Sequence, residues 1–157
     1  MASLELKIPP PVIALLTASA MWAVARWGAL PGPLAAMAPD GRLKVAALVA
    51  FVGLCFDVAG IVAFWRAKTT VNPMKPENSV ALVSSGVYRI TRNPMYVGMG
   101  FILLAWAVYL GSTWGLLGPL VFVAYITRFQ IKPEERALAA RFGAAFASYQ
   151  SRVRRWL

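Results

Sequence analysis

A chain of 157 residues is one domain by default, and 59% of it is hydrophobic against 14% charged, a balance that argues against a soluble globule with one large core. The net charge is +10, but the basic residues flank apolar runs, so they point to membrane orientation and anionic lipid rather than to nucleic acid. One cysteine (Cys55) and no histidine argue against a disulfide framework, a zinc site and every histidine-dependent catalytic arrangement.

The reading is all-α: a polytopic membrane protein of about four transmembrane helices in a single domain, with a cytosolic cofactor-binding loop and an amphipathic last helix. Pro9-Pro10-Pro11 opens a first span over 11–30, too long and too aromatic for a cleaved signal core. Residues 31–42 connect it to a second span over 43–65. Inside that span stands Asp57, which reads either as a functional intramembrane carboxyl or as a bundle-facing group hydrogen-bonded to a neighbouring helix. These two spans make up residues 1–65. Residues 66–157 form a core of loop, helical hairpin and final helix.

The loop over 66–93 is long for a compact domain, and long loops there are functional or disordered; Val80-Ala81-Leu82-Val83 argues against disorder. It ends in the polar stretch Ser84-Ser85-Gly86-Val87-Tyr88-Arg89-Ile90-Thr91-Arg92-Asn93-Pro94, punctuated as turns by Gly86 and Asn93-Pro94, with Pro94 placed to open a helix. Spans over 95–110 and 114–129 make a hairpin about the turn at 111–113. Beyond Lys132, apolar positions Leu138, Phe142, Phe146, Tyr149 and Val153 recur at helical spacing, and Arg152-Val153-Arg154-Arg155-Trp156-Leu157 reads as a basic-aromatic surface anchor. Thirteen of the sixteen basic residues fall on one side of this topology. The positive-inside rule therefore puts both termini, the loop and the last helix in the cytoplasm, in an integral, multi-pass protein of a prokaryotic inner membrane.

The hairpin returns Glu134-Glu135 to the side of the polar stretch. Together they offer an acidic pair, the cluster Arg89, Arg92 and Arg128, and the rings of Tyr88 and Tyr96. A zwitterion with an aromatic base suits that set: a glutamate takes an ammonium, an arginine or loop N–H a carboxylate, and a tyrosine face a sulfonium. S-adenosylmethionine has all of these, whereas a nicotinamide dinucleotide wants phosphate contacts and a glycine-rich turn that the chain lacks. Methyl transfer is a displacement that needs alignment more than acid-base machinery, which agrees with the absence of histidine.

The run Leu82-Val83-Ser84-Ser85-Gly86-Val87-Tyr88, then Arg92-Asn93-Pro94-Met95-Tyr96-Val97-Gly98, then Glu134-Glu135 with Phe142-Gly143 and Tyr149, resembles the isoprenylcysteine carboxyl methyltransferase family and the related phospholipid methyltransferases. The likeness covers about residues 66–157. It implies a membrane-embedded methyltransferase with S-adenosylmethionine under the cytoplasmic face and a lipophilic small-molecule or lipid substrate bearing a carboxylate, thiol or amine. The cofactor contacts it implies are Ala81, Leu82, Val83, Tyr88, Asn93, Pro94, Met95, Tyr96 and Glu134. Its catalytic candidates are Glu135, supporting the pair, and Arg128, facing the substrate; strict alignment to Glu134 puts Gln130 at that position instead. Asn93 departs from the family's histidine and keeps hydrogen bonding without a titrating proton. No metal is implied. A sterol-type reductase using NADPH and a non-catalytic lipid-binding scaffold stand as alternatives, the scaffold resting on Arg152, Arg154 and Arg155.

Overall fold

A computed structural model describes residues 4–27, 33–68 and 81–157. The end of the expected first span, the start of the connector over 31–42 and the loop residues 69–80 lie outside the described residues; the rest of that connector ends at Pro39, where α2 already begins. Those described are helical but for turns and one isolated parallel bridge between Thr91 and Arg154. Helix α1 is Pro10–Trp27, α2 Pro39–Arg66, α3 Pro94–Leu110, α4 Leu117–Ile126 and α5 Lys132–Arg152.

Local chemistry sets these boundaries. Proline opens α1, α2 and α3, where its missing N–H would have no intrahelical partner. Asp40 in the first turn of α2 and Arg66 in its last complement the helix dipole. α3 stops at Gly111, whose φ of 65° lets the chain take the left-handed cap. Gly111 N donates to the Val108 carbonyl (3.0 Å) and Ser112 N to that of Ala107 (3.3 Å), and the chain reverses into α4 through a short 3-10 turn at Trp114–Leu116.

The expected break between the fourth span and the final helix is absent. Trp114–Arg152 runs on over 39 residues with no loop between α4 and α5, because a π-helical turn at Thr127–Ile131 joins them. Pro133 has no N–H to offer the carbonyl four residues back, and Leu6 N donates to that Phe129 carbonyl instead, at 3.1 Å. The N-terminal segment thus docks on the turn that precedes Glu134. Further along, Gly143 (φ 50°, ψ −122°) kinks α5.

Among the described residues, two helices are long and apolar enough to cross a membrane: Pro39–Arg66 and Trp114–Arg152. α3 is apolar but shorter, at 17 residues. The apolar faces point outward, with Leu48, Phe51 and Trp65 of α2 at 64%, 64% and 70% exposure, an extent that marks a membrane or interaction surface. Lipid is the solvent that fits this surface. Inside, Tyr96, Leu103 and Ala107 of α3 pack with Phe122 and Ile126 of α4 and Ile13 and Met21 of α1. Trp106 Nε1 donates to the Ala18 carbonyl at 3.0 Å, tying α3 to α1.

α2 and α3 approach most closely through small residues, as helices in lipid do. A Cβ on Gly98 would overlap the Asp57 carboxylate and lie 2.7 Å from the Gly53 carbonyl oxygen. Asp57 therefore faces α3, but its Oδ1 is buried and hydrogen-bonds nothing among the described residues, so the expected helix-to-helix hydrogen bond is not seen there. Gly98→Ala should destabilise the fold by roughly 2–3 kcal/mol through overpacking, read as a lowered thermal midpoint in detergent.

Candidate functional site

The site lies where the start of α3, the start of α5 and the end of α2 meet. Gly86, at φ 59°, supplies the left-handed residue that turns the chain into a single 3-10 turn over Gly86–Arg89. This turn drops the Tyr88 side chain into the protein. Its ring meets Phe64 of α2 edge-on at 5.6 Å and clusters with Val83 and Ala63. Tyr149 of α5 donates its hydroxyl to the Tyr88 carbonyl at 2.7 Å, so α2 and α5 hold the turn from both sides.

Glu134 sits beneath it. Tyr96 OH and Gln130 Nε2 both donate to Glu134 Oε1, each at 2.6 Å. The hairpin brings Tyr96 across from α3, and Gln130 stands four residues before Glu134 at the end of the π-helical turn. Gln130 is almost wholly buried, at 2% exposure, which leaves its amide committed to this neighbourhood. Oε2 carries no hydrogen bond among the described residues, nor does any cation there pair with Glu134. Desolvation pushes the carboxyl up to about 7; the Gln130 and Tyr96 hydrogen bonds oppose the rise and the charge of Glu135 adds to it.

Glu135 has the opposite environment. Arg155 grips it with two bonds, Nε to Oε1 at 3.0 Å and NH2 to Oε2 at 2.7 Å, and Arg92 NH2 adds a third to Oε1 at 2.7 Å. Burial raises its pKa, but the guanidiniums of Arg155 and Arg92 outweigh that and hold it below the usual carboxylate range. Arg92 NH1 also reaches the carbonyls of Val153 (2.6 Å) and Gln150 (3.3 Å). Adjacent glutamates are thus set apart: one neutralised twice over, the other held by neutral donors with one oxygen open.

The last residues close the site from the other side. Arg92 N donates to the Arg154 carbonyl at 2.9 Å. Thr91 Oγ1 and Asn93 Nδ2 both donate to the carbonyl of Arg155, at 3.1 and 2.9 Å, and Trp156 Nε1 donates to Thr127 Oγ1 at 3.1 Å. The expected surface anchor is therefore only partly at the surface. Arg152 and Arg154 are exposed, but Arg155 and Trp156 turn inward onto Glu135 and Thr127.

Among the residues singled out in the sequence, Tyr96 and Glu134 meet directly, with Tyr88 and Val83 packed above the end of α2. Ala81 and Leu82 are half-buried at the start of the same segment. Pro94 and Met95 face α2 at Gly60, where a Cβ would lie 2.7 Å from Met95 Cγ. Asn93 spends its amide on the Arg155 carbonyl. Arg128 is not brought to this group: its side chain, 45% exposed, pairs with Glu5 (2.6 Å), which Arg136 also contacts. Thr91 and Arg155 had no local sequence signal, since they stand 64 residues apart. Gln130, which strict alignment to Glu134 puts at the substrate-facing position, is drawn instead onto Glu134 itself, one helical turn away.

A helical bundle with two helices apolar enough to cross a membrane thus carries, where α3 and α5 begin, a desolvated carboxylate with one oxygen unbonded among the described residues. The chain belongs to the phospholipid methyltransferase family, whose sequence model matches residues 42–145. That region contains the α2–α3 interface, the polar stretch and both glutamates. An uncharacterised protein of Haemophilus influenzae is 43% identical over 63 residues, 40% of this chain and all of that one. No solved structure gives a significant match.

Proposed function

We propose that the chain is an S-adenosylmethionine-dependent methyltransferase acting on a lipophilic or amphipathic acceptor at the cytoplasmic face of the membrane. One observation carries the cofactor part: Glu134, with Oε1 braced by Tyr96 and Gln130 and Oε2 open, beside a Glu135 already neutralised by Arg92 and Arg155. A desolvated carboxylate lacking a cation is a receptor for one, and the cofactor carries an ammonium and a sulfonium. Arg89, exposed on the 3-10 turn and in no ion pair among the described residues, is the cation we assign to the cofactor's carboxylate. Val83 and Tyr88 supply an apolar, aromatic wall.

When bound, the cofactor supplies an electrophilic methyl group on sulfur. The chain's part is to bind and orient. Tyr96 and Gln130 fix the direction of the Glu134 carboxylate, and the surrounding apolar residues exclude water, so the displacement proceeds by alignment without a titrating base. Family membership supports a lipid-type acceptor, and the four-span topology read from the sequence lets such a molecule arrive through the bilayer. We assign the acceptor's polar group to Arg128, as the resemblance implies; its side chain pairs with Glu5, away from Glu134, and must first leave that partner. Calorimetric titration of the purified protein tests the reading: it predicts saturable binding of S-adenosylmethionine and of its demethylated product, and no competition from NADPH. Absence of binding at millimolar ligand would refute it.

Binding should follow the ionisation of Glu134. Only the charged form attracts a cation, and its pKa is about 7, so affinity should be nearly tenfold weaker at pH 6 than at pH 7.5. Glu134→Gln should flatten that profile; an unchanged slope in this variant would assign the titration to another group.

A further inference from the structure

Asn93 occupies the position where the resemblance implies a cofactor contact, but the geometry gives it other work. Its Nδ2 donates to the Arg155 carbonyl at 2.9 Å, and its backbone N–H donates to Thr91 Oγ1 at 3.2 Å. That same hydroxyl donates to the Arg155 carbonyl at 3.1 Å. Thr91 is wholly buried, at 0% exposure. Two side chains, one the N-cap residue of α3 and one two positions earlier, therefore converge on one backbone oxygen 62 and 64 residues away. Asn93 makes no side-chain cap to its own helix, the usual use of asparagine at that position. The local stabilisation is forgone for a long-range tie.

That tie has a consequence for charge. Arg155 is the residue whose carbonyl is held and whose guanidinium grips Glu135. Holding the main chain at Arg155 sets where that guanidinium begins. The Arg92 backbone bond to Arg154 and the Trp156 bond to Thr127 fix this last segment, a strap over 153–157, on either side. We infer that Asn93 is a positioning residue: through its amide N–H it holds the segment Val153–Leu157 against residues 91–93, keeps Arg155 on Glu135, and so leaves Glu134 as the carboxylate offered to the cofactor's cation. The last clause rests on the proposed function; the first does not.

An isosteric pair of substitutions separates this role from direct contact with the cofactor. Asn93→Asp keeps the shape and an acceptor oxygen but removes the donor, and it sets a carboxylate against a carbonyl. Were Asn93 to meet the cofactor's ammonium through Oδ1, Asp would bind as well or better. As a donor to the strap, it must fail. Asn93→His restores one N–H at similar reach.

The experiment uses the full chain in detergent micelles, with two readouts. Limited trypsin digestion with mass analysis follows cleavage at Arg155–Trp156, the peptide bond whose carbonyl is held. Calorimetry follows S-adenosylmethionine. The expected result is that Asn93→Asp speeds that cleavage and weakens the cofactor by about tenfold each, the size of one lost buried hydrogen bond, while Asn93→His returns both toward wild type. Circular dichroism and cleavage at sites before Arg152 should not change. The inference is overturned if Asn93→Asp leaves the strap protected, if the strap is released with no change in affinity, or if Asn93→His fails to restore protection. Were the wild-type protein not to bind the cofactor at all, the functional reading would fall, and the digestion alone would decide whether Asn93 holds the strap.

Discussion

Glu134→Gln should weaken cofactor binding about thirtyfold or more without disturbing the fold. The substitution keeps size and shape, and the glutamine carbonyl oxygen can still accept from Tyr96 OH and Gln130 Nε2, which now meet on Oε1 at 2.6 Å. What disappears is the charge on a group whose Oε2 has no partner among the described residues. Removing one member of a desolvated charge pair costs about 2 kcal/mol or more, so affinity should fall about thirtyfold or further. Stability should move the other way. The folded-state pKa of Glu134 is raised, so the unliganded fold loses stability as pH climbs from the usual carboxylate range to about 7; Gln has no such cost. A variant that binds poorly yet melts no earlier than wild type separates a ligand-facing carboxylate from a structural one. Equal loss of both would point to a structural role.

The second large effect is on Arg92, and it runs through stability. Arg92 holds three groups at once: the Gln150 and Val153 carbonyls at the end of α5, and Glu135 at its start. Both members of the ion pair are largely buried, at 11% and 14% side-chain exposure. Arg92→Ala leaves two carbonyls and part of a carboxylate without their donor. The expected cost is about 3 kcal/mol, or roughly 6–12 °C in the thermal midpoint of a chain this size. Arg92→Lys should recover only part of it, because an ammonium cannot fork between Glu135 and the carbonyls. The pH dependence has a definite sign. Glu135 is depressed in the folded state, so its contribution is present at neutral pH and is lost as pH falls through the carboxylate range. Arg92→Ala should therefore unfold with a weaker acid dependence than wild type. A midpoint unmoved by this change would mean that α5 is held by its apolar face alone.

The sequence was informative where a local rule determines structure. Pro94 after Asn93 marks the start of α3, Gly111 its end, and the recurrence of Phe146 and Tyr149 the buried face of α5. The meeting of Tyr96 with Glu134 could be foreseen because a hairpin must return its second arm to the level of its first. The π-helical turn could not, since no residue signature separates it from ordinary helix; it arises next to Pro133, whose missing N–H frees the Phe129 carbonyl for Leu6. Gln130 proves to be a brace on Glu134, while Arg128 faces Glu5.

The final residues show the limit most plainly. Arg152-Val153-Arg154-Arg155-Trp156 has the composition of a membrane-surface anchor, and composition does not report which arginine will find a buried carboxylate. Only the fold places Arg155 against Glu135, and that separates it from Arg152 and Arg154, which stay exposed. The scaffold alternative treats the three alike; the structure gives no ground for doing so.

The central claim, methyl transfer to a membrane-borne acceptor, has one direct measurement. Membranes containing the wild-type protein, and matched membranes containing Glu134→Gln, are incubated with S-adenosylmethionine labelled in its methyl group, and the label is followed into the organic extract. The account predicts label in an extractable lipid-like species with the wild-type protein and none above background with Glu134→Gln. Equal labelling by the two proteins, or label confined to the aqueous phase, would contradict it.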